Sequence, residues 1–366
     1  MPDIEIDAII TNLENFIQQK EDLKKSHPLK YLFWESTLRC NLSCLHCGSE
    51  CVRDSSTEPD EIEAETIKRE LKSISEKYDP RSITFAIIGG EPLVRPDIIN
   101  VGAYAAELRY NWGITTNAML LNEEKIKELK VAGLNTISVS LDGLEEEHNK
   151  LRNHSSSYNV VINNLKLLLD DRFYSKMDVI CCVSKVNINK LDLLINKLID
   201  LRVPALRFVP IFSHGRASEH PELTLDGDDY LKLFKLIAHY RESQKDITIN
   251  LGEEGYWGPQ WECVIRDRFH YCSAGISVGS ILYNGDVMGC PSSSRNFIEG
   301  NIKGTSFLDL WETKFHRYRQ GKKELFNSVC KDCQHWELCE GGGFHVLDQD
   351  NSPLEQCSMR KIKAIW

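Results

Sequence analysis

Cysteines are the residues of this 366-residue chain whose types and spacing point most directly to chemistry, and there are 13 of them. Four lie within 40–51, two are adjacent at Cys181 and Cys182, three lie within 263–290 and four lie within 330–357. Cysteines that served only as small buried hydrophobes would not gather at both ends of a chain. The chain starts without a basic segment followed by an apolar one, so we expect a cytoplasmic protein in which disulfides are rare. The clusters therefore indicate metal ligation.

The first cluster places Cys40, Cys44 and Cys47 directly after a strand-like stretch at 31–37. Three thiolates this close in sequence can reach one iron–sulfur cluster from a single loop, and a four-iron cluster then keeps one iron open for another ligand. A structural zinc site normally has four protein ligands, and Cys51 could supply the fourth. A closed zinc or cluster site is therefore the alternative at this loop, although we expect Cys51 to be a free or peripheral thiol.

Further polar residues and glycines follow the next strand-like stretches, at the sheet edge where parallel α/β folds bind ligands. Gly89 and Gly90 would let the backbone approach a ligand closely, and Glu91 adds a carboxylate suited to an ammonium group. Residues suited to ribose hydroxyls or to a carboxylate come later: Asn117, Ser140, Asp142 and Arg152. Each alone has an ordinary explanation as a turn, capping or solvated residue. Their ordered combination is what indicates a binding site.

The elements that must position these residues alternate between strand-like and helix-like stretches, six of each, from about residue 31 to 215. This repetition predicts a parallel sheet, either doubly wound or a partial barrel. After a helix near 224–246 the alternation ends. A hairpin turn at Asn284–Gly285 and a helix near 306–319 are predicted in the glycine-rich remainder.

Composition excludes several classes of protein. A hydrophobic content of 42% suffices for a folded core. No apolar run approaches the ~18 residues that span a bilayer, so no membrane partner is expected. The net charge of −10 makes nucleic acid a poor partner, because phosphate binding favours a basic surface.

The motifs CNLSCLHC, GGEP, TTNA and SVSLDG…HNKLRN together resemble the radical S-adenosylmethionine (radical SAM) family over about the first two-thirds of the chain. The resemblance implies a partial (β/α)6 TIM-type barrel in which Cys40, Cys44 and Cys47 hold a [4Fe–4S] cluster. Its open iron would chelate S-adenosylmethionine. One electron from the cluster would cleave the sulfonium, giving methionine and a 5′-deoxyadenosyl radical that abstracts a substrate hydrogen, while the protein orients the reactants and excludes water.

The resemblance also assigns contacts to S-adenosylmethionine. Gly89, Gly90 and Glu91 match the motif that receives the methionine amino group. His46 matches a position against the adenine, and Val209 lies on the strand that supplies an apolar or backbone contact to it. The positions that match polar contacts to the ribose, the methionine and its carboxylate are Asn117, Ser140, Asp142 and Arg152.

Seven later cysteines form a second constellation. Spacing alone fits auxiliary iron–sulfur clusters and zinc knuckles equally well, but redox chemistry beside a radical SAM barrel favours electron relays, which zinc cannot provide. The region, with its stretch at 300–312, resembles the SPASM domain. The resemblance implies an outer auxiliary cluster on Cys330, Cys333, Cys339 and Cys357, and an inner one on Cys272, Cys290 and, upstream, Cys263.

One position departs from the SPASM pattern. Gly343 stands where a cysteine is expected, three residues after Glu340, the residue that follows Cys339. The inner cluster could have three thiolates and an open iron, a substitute ligand such as His345 or an aspartate, or it could be reduced or absent. We expect one or two auxiliary clusters, the inner one with three thiolates and an open or non-cysteine fourth ligand.

Two further features have open roles. Cys181 and Cys182 lie on one predicted strand, so one should point into the barrel and could donate a hydrogen atom, as an epimerase requires; a buried apolar role is the favoured alternative. The segment 252–270, rich in Trp, Tyr and Phe, could line a substrate channel or pack against the clusters.

The sequence therefore predicts a helical arm at 1–28, a radical SAM partial barrel at 29–215, a bridging helix and linker at 216–260 and a SPASM-like domain at 261–366. By resemblance we expect a maturase that oxidises, cross-links or epimerises a precursor peptide, with a reductase or flavodoxin-type electron donor. The alternatives are a dehydrogenase or decarboxylase acting on a small molecule or cofactor precursor, and a non-catalytic iron–sulfur electron carrier. The intact GGEP motif and Arg152 disfavour the last, because an electron relay has no use for a sulfonium site.

Overall fold

The computed structural model describes residues 6–49, 51–52, 60–171, 176–252, 255–320, 322–325, 330, 332–347 and 357–362. Its strands are β1 (Tyr31–Glu35), β2 (Thr84–Ile88), β3 (Asn111–Thr116), β4 (Thr136–Ser140), β5 (Lys176–Val183), β6 (Ala205–Pro210), β7 (Thr248–Leu251), β8 (Val278–Ile281), β9 (Asp286–Met288) and β10 (Gly300–Asn301). Its longer helices are α1 (Ile6–Ser26), α2 (Ala64–Lys77), α3 (Ile98–Glu107), α4 (Glu123–Val131), α5 (Glu145–Arg152), α6 (Ser157–Asp171), α7 (Leu191–Asp200) and α8 (Gly227–Ser243). Shorter helices follow: α9 (Pro259–Ile265), α10 (Phe307–Thr313), α11 (His316–Arg319), α12 (Lys322–Leu325), α13 (Trp336–Cys339) and α14 (Ser358–Lys361).

All ten strands form one sheet in the order β10-β9-β8-β1-β2-β3-β4-β5-β6-β7. Strands β1 to β7 are parallel neighbours in chain order. In a doubly wound sheet the order of the strands reverses at a switch point. Successive right-handed crossovers that all run in one direction instead place their helices on one face of the sheet, as in a barrel. The topology therefore decides between the two predicted folds in favour of the partial barrel.

The sheet is larger than the sequence predicts. Strand β7 lies within the predicted linker 216–260, and β8, in the predicted SPASM-like region, pairs in parallel with β1. The predicted turn at Asn284–Gly285 joins the antiparallel strands β8 and β9, with Gly285 at φ +91°. The single helix predicted near 306–319 is two helices, separated where Phe315 adopts φ +65°.

The core lies between the sheet and its helices. Trp34 on β1 stacks on Phe85 of β2 with ring centroids 6.4 Å apart, and both are fully buried. Trp112 on β3 donates its indole N–H to the carbonyl of Ala132 at 3.1 Å. Gly102 of α3 makes room for this ring, since a Cβ there would lie 2.4 Å from it. Large apolar residues at alternate strand positions thus hold the helices and leave the opposite face to form the barrel interior.

Helix α1 packs against the C-terminal region rather than standing apart. The Phe16 ring lies 5.4 Å from that of Phe269. The buried Lys20 ammonium lies 2.9 Å from the carboxylate of Glu340, and Lys24 lies 2.6 Å from the same carboxylate. The predicted helical arm is therefore an integral helix, although its residues 1–5 lie outside the described residues. None of the helices in the described ranges combines the length and the apolar character that crossing a membrane would require.

Candidate active site

A cavity at the carboxyl ends of β1 to β4 brings most of the predicted site residues together. Its volume is about 170 Å³. Its lining residues include Cys40, Cys44, His46, Cys47, Cys51, Gly89, Gly90, Asn117, Ser140, Arg152 and Arg216. Residues scattered over 177 positions of sequence therefore converge at the sheet edge that parallel α/β folds use for ligands.

The cysteine loop, residues 36–49 and 51–52, follows β1 and is held by backbone hydrogen bonds. The N–H of Cys40 donates to the carbonyl of Val52 at 3.0 Å. Arg216, in the segment after β6, ties the loop to the barrel: its Nε donates to the carbonyl of Cys44 at 3.0 Å and its Nη1 to that of Cys51 at 2.6 Å. Arg216 is not among the residues predicted from the sequence, because nothing in its local sequence marks a contact with residues far away in the chain.

The thiols of Cys40, Cys44 and Cys47 are not arranged as a compact tetrahedral zinc site. All three line one cavity, but their sulfur atoms do not all lie within 4.8 Å of one another. In the described ranges the one group of three His, Cys or acidic residues that meets this distance is His46, Asp142 and Cys182. A tetrahedral zinc ion with Zn–S bonds of about 2.3 Å would hold its sulfurs about 3.8 Å apart. Burial raises the pKa of the Cys40 thiol to about 11, and iron charge would favour the thiolates.

Cys51 is not peripheral to the other three cysteines of the loop. It is 5% exposed and lines the same cavity as the other three cysteines. A hydrogen bond from its thiol lowers the pKa of Cys47, and the same bond, together with burial, raises the pKa of Cys51. The geometry therefore keeps the four-cysteine alternative open at this loop, and a variant of Cys51 decides it.

Gly89 and Gly90 are required by a close approach between two loops. The N–H of Gly90 donates to the carbonyl of Thr37 at 2.7 Å, and the N–H of Glu91 donates to that of Arg39 at 3.0 Å. A Cβ at Gly89 would lie 2.4 Å from the Thr37 oxygen, and one at Gly90 would lie 2.2 Å from the Arg39 oxygen. The glycines thus allow the loop after β2 to pack against the cysteine loop. The sequence predicted glycines here only for close approach to a ligand.

Glu91 turns its carboxylate toward β3 rather than lining the cavity. The carboxylate is completely buried and accepts hydrogen bonds from the Thr116 hydroxyl at 2.8 Å, the Asn117 N–H at 2.8 Å and the Leu93 N–H at 3.1 Å. Burial raises its pKa to about 6. Asn117 in turn donates its side-chain amide to Asn41 at 2.7 Å, so Glu91 fixes the strand end that points Asn117 at the cysteine loop.

Arg152 and Asp142 form a buried ion pair beside the cysteines. The Arg152 Nε lies 2.6 Å from Asp142 Oδ2, and its Nη1 lies 3.8 Å from the sulfur of Cys44. Burial alone would raise the pKa of Asp142, but the Arg152 charge lowers it to about 2. His46 Nε2 lies 3.6 Å from the same carboxylate, and burial lowers the pKa of this imidazole to about 4. Arg152 is therefore already paired with an acidic side chain of the protein.

The adjacent cysteines of β5 point in opposite directions. Cys181 is fully buried in the core beneath the helices, which removes it as a hydrogen-atom donor. Cys182 faces the interior with Val209, its neighbour on β6, and donates its N–H to Asp142 at 3.0 Å. With His46 and Asp142 it forms the one group in the described ranges whose three ligand atoms lie within 4.8 Å of one another. A donor role for Cys182 stays a prediction.

The aromatic segment 252–270 packs in the core where the structure describes it; residues 253–254 lie outside the described ranges. Trp257 is 1% exposed, and its ring lies 4.5 Å from that of Tyr230 and 5.0 Å from that of Phe234 on α8. The packing alternative is therefore the one that this ring supports, rather than a substrate channel.

The four outer cysteines are neighbours. The N–H of Cys333 donates to the carbonyl of Cys330 at 3.1 Å. Burial raises the pKa of Cys330, and the charges of Cys357 and Cys333 act on the same thiol. Burial also raises the pKa of Cys339 to about 12, with Cys357 and Cys330 adding to the effect. The predicted outer set is thus brought together, and its ligation of a cluster stays a prediction.

The inner cysteines, Cys272 and Cys290, are half-buried and pack against the main core. Cys263, predicted to join them, is instead exposed on α9, next in sequence to the buried Glu262. Exposure on this helix is the opposite of what a ligand of an internal cluster requires.

Comparisons with known proteins agree with this geometry. Residues 34–198 match the radical SAM superfamily, and residues 272–334 match SPASM, an iron–sulfur cluster-binding domain. The chain belongs to the radical SAM superfamily. It is a radical SAM enzyme with a SPASM domain, and its cofactors are S-adenosylmethionine, a [4Fe–4S] cluster and auxiliary iron–sulfur clusters. The alternative of a non-catalytic electron carrier is therefore wrong.

Three relatives illustrate its neighbourhood. An AdoMet-dependent heme synthase of Methanosarcina barkeri is 24% identical, over 85% of this chain and 90% of that protein. The mycofactocin maturase MftC of Mycobacterium tuberculosis is 26% identical, over 85% of this chain and 77% of that protein. The structure of Streptococcus suis SuiB bound to its precursor peptide SuiA superposes with a TM-score of 0.65 at 19% identity, over 89% of this chain and 75% of SuiB. The last likeness confirms the predicted α/β fold, a partial barrel followed by a SPASM region.

Proposed function

We propose that this radical SAM enzyme modifies a peptide at an unreactive C–H bond, with Cys40, Cys44 and Cys47 as protein ligands of its radical-generating cluster. The observation that carries the assignment is the convergence of these three thiols in one cavity at the carboxyl end of a parallel sheet. When bound there, the cluster and S-adenosylmethionine supply a 5′-deoxyadenosyl radical that abstracts hydrogen.

The protein prepares this cavity with two arginines. Arg216 fixes the backbone of the cysteine loop from the β6 side. Arg152 brings a positive charge to within 3.8 Å of the Cys44 sulfur, which stabilises a thiolate there. Because Asp142 holds Arg152 in place, we assign Asp142 a positioning role rather than a direct contact with the methionine.

We assign the cofactor to the remaining lining residues. The backbone at Gly89 and Gly90 and the side chains of Asn117 and Ser140 border the cavity and offer polar groups to the methionine and ribose. His46 on one side, with Val209 from β6, is assigned to the adenine. Glu91 acts on the cofactor through the Asn117 backbone that it binds, so it too is a positioning residue.

A peptide substrate is supported by the relatives. SuiB binds the precursor peptide SuiA, and MftC is a maturase. A peptide could be oxidised, cross-linked, joined through a thioether or epimerised, and the cofactors suit each of these outcomes. We further propose a reductase or flavodoxin-type protein as the electron donor and a cytoplasmic location, where thiol ligands stay reduced.

A second candidate is a dehydrogenase or decarboxylase that acts on a cofactor precursor. The observation that favours it is the match over 90% of the length of a heme synthase. The two candidates differ in substrate size, because a peptide presents amide groups along an extended chain whereas a cofactor precursor is compact.

The test is anaerobic reconstitution with iron and sulfide, followed by reduction in the presence of S-adenosylmethionine. The wild type should release 5′-deoxyadenosine, and Cys44→Ala should not. Adding a peptide encoded beside the gene should then give a mass shift in that peptide, with deuterium transfer from a labelled C–H position into 5′-deoxyadenosine. Deuterium transfer from a porphyrin precursor and from no peptide would instead establish the second candidate.

A further inference from the structure

The imidazole of His345 occupies the space that a side chain at Gly343 would take. A Cβ built on Gly343 would lie 2.3 Å from Cε1 and Nδ1 of His345 and 3.4 Å from its Nε2. A cysteine at position 343 could not coexist with the ring in this position. The space that the expected cysteine side chain would fill is therefore occupied by an imidazole ring, which carries two nitrogen atoms that can ligate a metal.

This ring is fixed from the barrel side. Nε2 of His214 lies 2.6 Å from the carbonyl oxygen of His345. This hydrogen bond holds the backbone of the turn. The Phe212 ring packs against the His345 imidazole edge-on, with centroids 4.7 Å apart. Both residues follow β6, so the barrel itself sets the orientation of the imidazole.

A second imidazole, that of His270, is buried two residues before Cys272. It is 3% exposed, and within the described ranges neither ring nitrogen has a hydrogen-bond partner. Leaving buried polar groups without partners destabilises a fold, so these ring nitrogens are candidates for binding a ligand. Phe269 and Tyr271, on either side of His270, both turn toward Phe16 of α1.

Tyr318 connects the His345 turn to both inner cysteines. Its ring lies 4.5 Å from that of Phe344, the residue before His345. The same ring fills the space over Gly275 and Gly289, where a Cβ would come within 2.4 and 2.5 Å of it. These glycines lie three residues after the first inner cysteine and directly before the second, so one aromatic ring gathers three segments of chain.

Lys322 marks the junction between the inner and outer sites. Its side chain is buried, its ammonium donates to the Gly342 carbonyl, and its charge acts on His270, His345 and Cys339 alike. The charge of His345 also acts on His270. A buried ammonium close to these groups favours an electron-rich iron–thiolate centre beside it.

We propose that His270 and His345 ligate the inner auxiliary iron–sulfur cluster together with Cys272 and Cys290, giving a site of two thiolates and two imidazoles. The assignment rests on the SPASM domain and not on what the enzyme modifies. It leaves out the exposed Cys263. In this part of the described chain no three candidate ligand atoms lie within 4.8 Å of one another, so the residues do not form a compact tetrahedral zinc site, whose ligand atoms lie roughly 3.5–3.8 Å apart.

The two imidazoles have an electronic consequence. Replacing an anionic thiolate by a neutral imidazole raises the reduction potential of an iron–sulfur centre, as where two histidines replace two cysteines on one iron of a [2Fe–2S] cluster. The inner cluster should therefore be reduced more easily than the outer one, whose four assigned ligands are all cysteines.

The test uses the full-length chain with Cys40, Cys44 and Cys47 replaced by alanine, so that only auxiliary clusters form. The protein is labelled with 15N-histidine, reduced and examined by pulsed EPR. We expect two strongly coupled nitrogens; His270→Gln and His345→Gln should each remove one. His239→Gln, at an exposed residue of α8, is the matched control and should remove neither. His345→Cys should lower the potential of the inner cluster.

Other outcomes overturn the proposal. Fewer than two coupled nitrogens in the labelled parent would mean a thiolate or an open iron in place of an imidazole. Zinc in place of the iron would also overturn the proposal, as would an iron content of about four, rather than up to about eight, together with loss of both nitrogen couplings. Because the labelled parent answers the question by itself, poor folding of a variant does not leave it undecided. No step depends on turnover, so failure here is distinct from failure of the proposed function.

Discussion

Replacing Arg152 by alanine should destabilise this protein before any cofactor is bound. The Arg152 guanidinium is the counter-charge of Asp142, whose carboxylate is 0% exposed. The two groups meet at 2.6 Å through Nε and at 3.1 Å through Nη2. Without the arginine, a carboxylate would stay deep in the protein with its charge uncompensated.

The size of the effect follows from this burial. Breaking a buried ion pair by removing one partner costs about 3–5 kcal/mol. Asp142 keeps a hydrogen bond from the Cys182 N–H at 3.0 Å, so we expect Arg152→Ala to lie near the lower end, at about 3 kcal/mol. The double variant Asp142→Asn with Arg152→Gln removes both charges. It should cost less than the sum of Asp142→Asn alone and Arg152→Gln alone, by about 1–3 kcal/mol.

The assay is urea unfolding of cluster-free protein under reducing conditions, followed by circular dichroism. The matched control is Arg81→Gln, because Arg81 also lies 3.0 Å from an aspartate, Asp79, but on the open surface. We expect no measurable shift in the control, since exposed ion pairs contribute little. If Arg152→Ala unfolded at the urea concentration of the control, and the single changes added without coupling, the pair would contribute nothing and Arg152 would be free to bind a carboxylate of S-adenosylmethionine.

Three further predictions test other parts of the structure. Cys44→Ala should reduce 5′-deoxyadenosine formation to background and Cys51→Ala should retain most of it; equal loss in both would establish a four-cysteine site. Gly90→Ala should lower the free energy of unfolding by about 1–3 kcal/mol, because its Cβ would lie 2.2 Å from a carbonyl oxygen of the cysteine loop. Gly48→Ala should leave the free energy of unfolding unchanged, because no atom lies within 4 Å of a Cβ there. Similar urea midpoints for the two variants would contradict this prediction. Lys20→Met should cost about 1–3 kcal/mol, because the ammonium is 2% exposed and 2.9 Å from a carboxylate; unchanged proteolysis of the C-terminal region would count against that contact.

Local patterns were enough to predict the elements of the barrel. The stretches around Trp34, Phe85 and Trp112 are strands because their apolar residues alternate or run continuously, and they are buried as predicted. Strand β7, with only four residues, was missed, and the predicted hairpin gave no sign that its first strand, β8, joins the barrel sheet. The pairing of β8 with β1 joins positions some 247 residues apart (31 with 278), and no local period records such a contact.

The site was predictable where residue type alone decides its place. Cys40, Cys44 and Cys47 had to share a loop, and the alternation along β5 separated Cys181 from Cys182. What the sequence could not show is direction: Glu91 faces Thr116 and the Asn117 backbone, away from the cavity. Such choices depend on which buried donors lie nearby in the folded chain.

The parallel pairing of β8 with β1 makes the C-terminal region a part of the barrel sheet rather than an appended module. Cutting the chain ahead of β8 would uncover the row of N–H and C=O groups along β1, the strand that leads into the cysteine loop. An unprotected edge of this kind recruits other chains. An isolated barrel is therefore expected to aggregate, and a domain exchange between relatives would have to carry β8, β9 and β10 along with the SPASM cysteines.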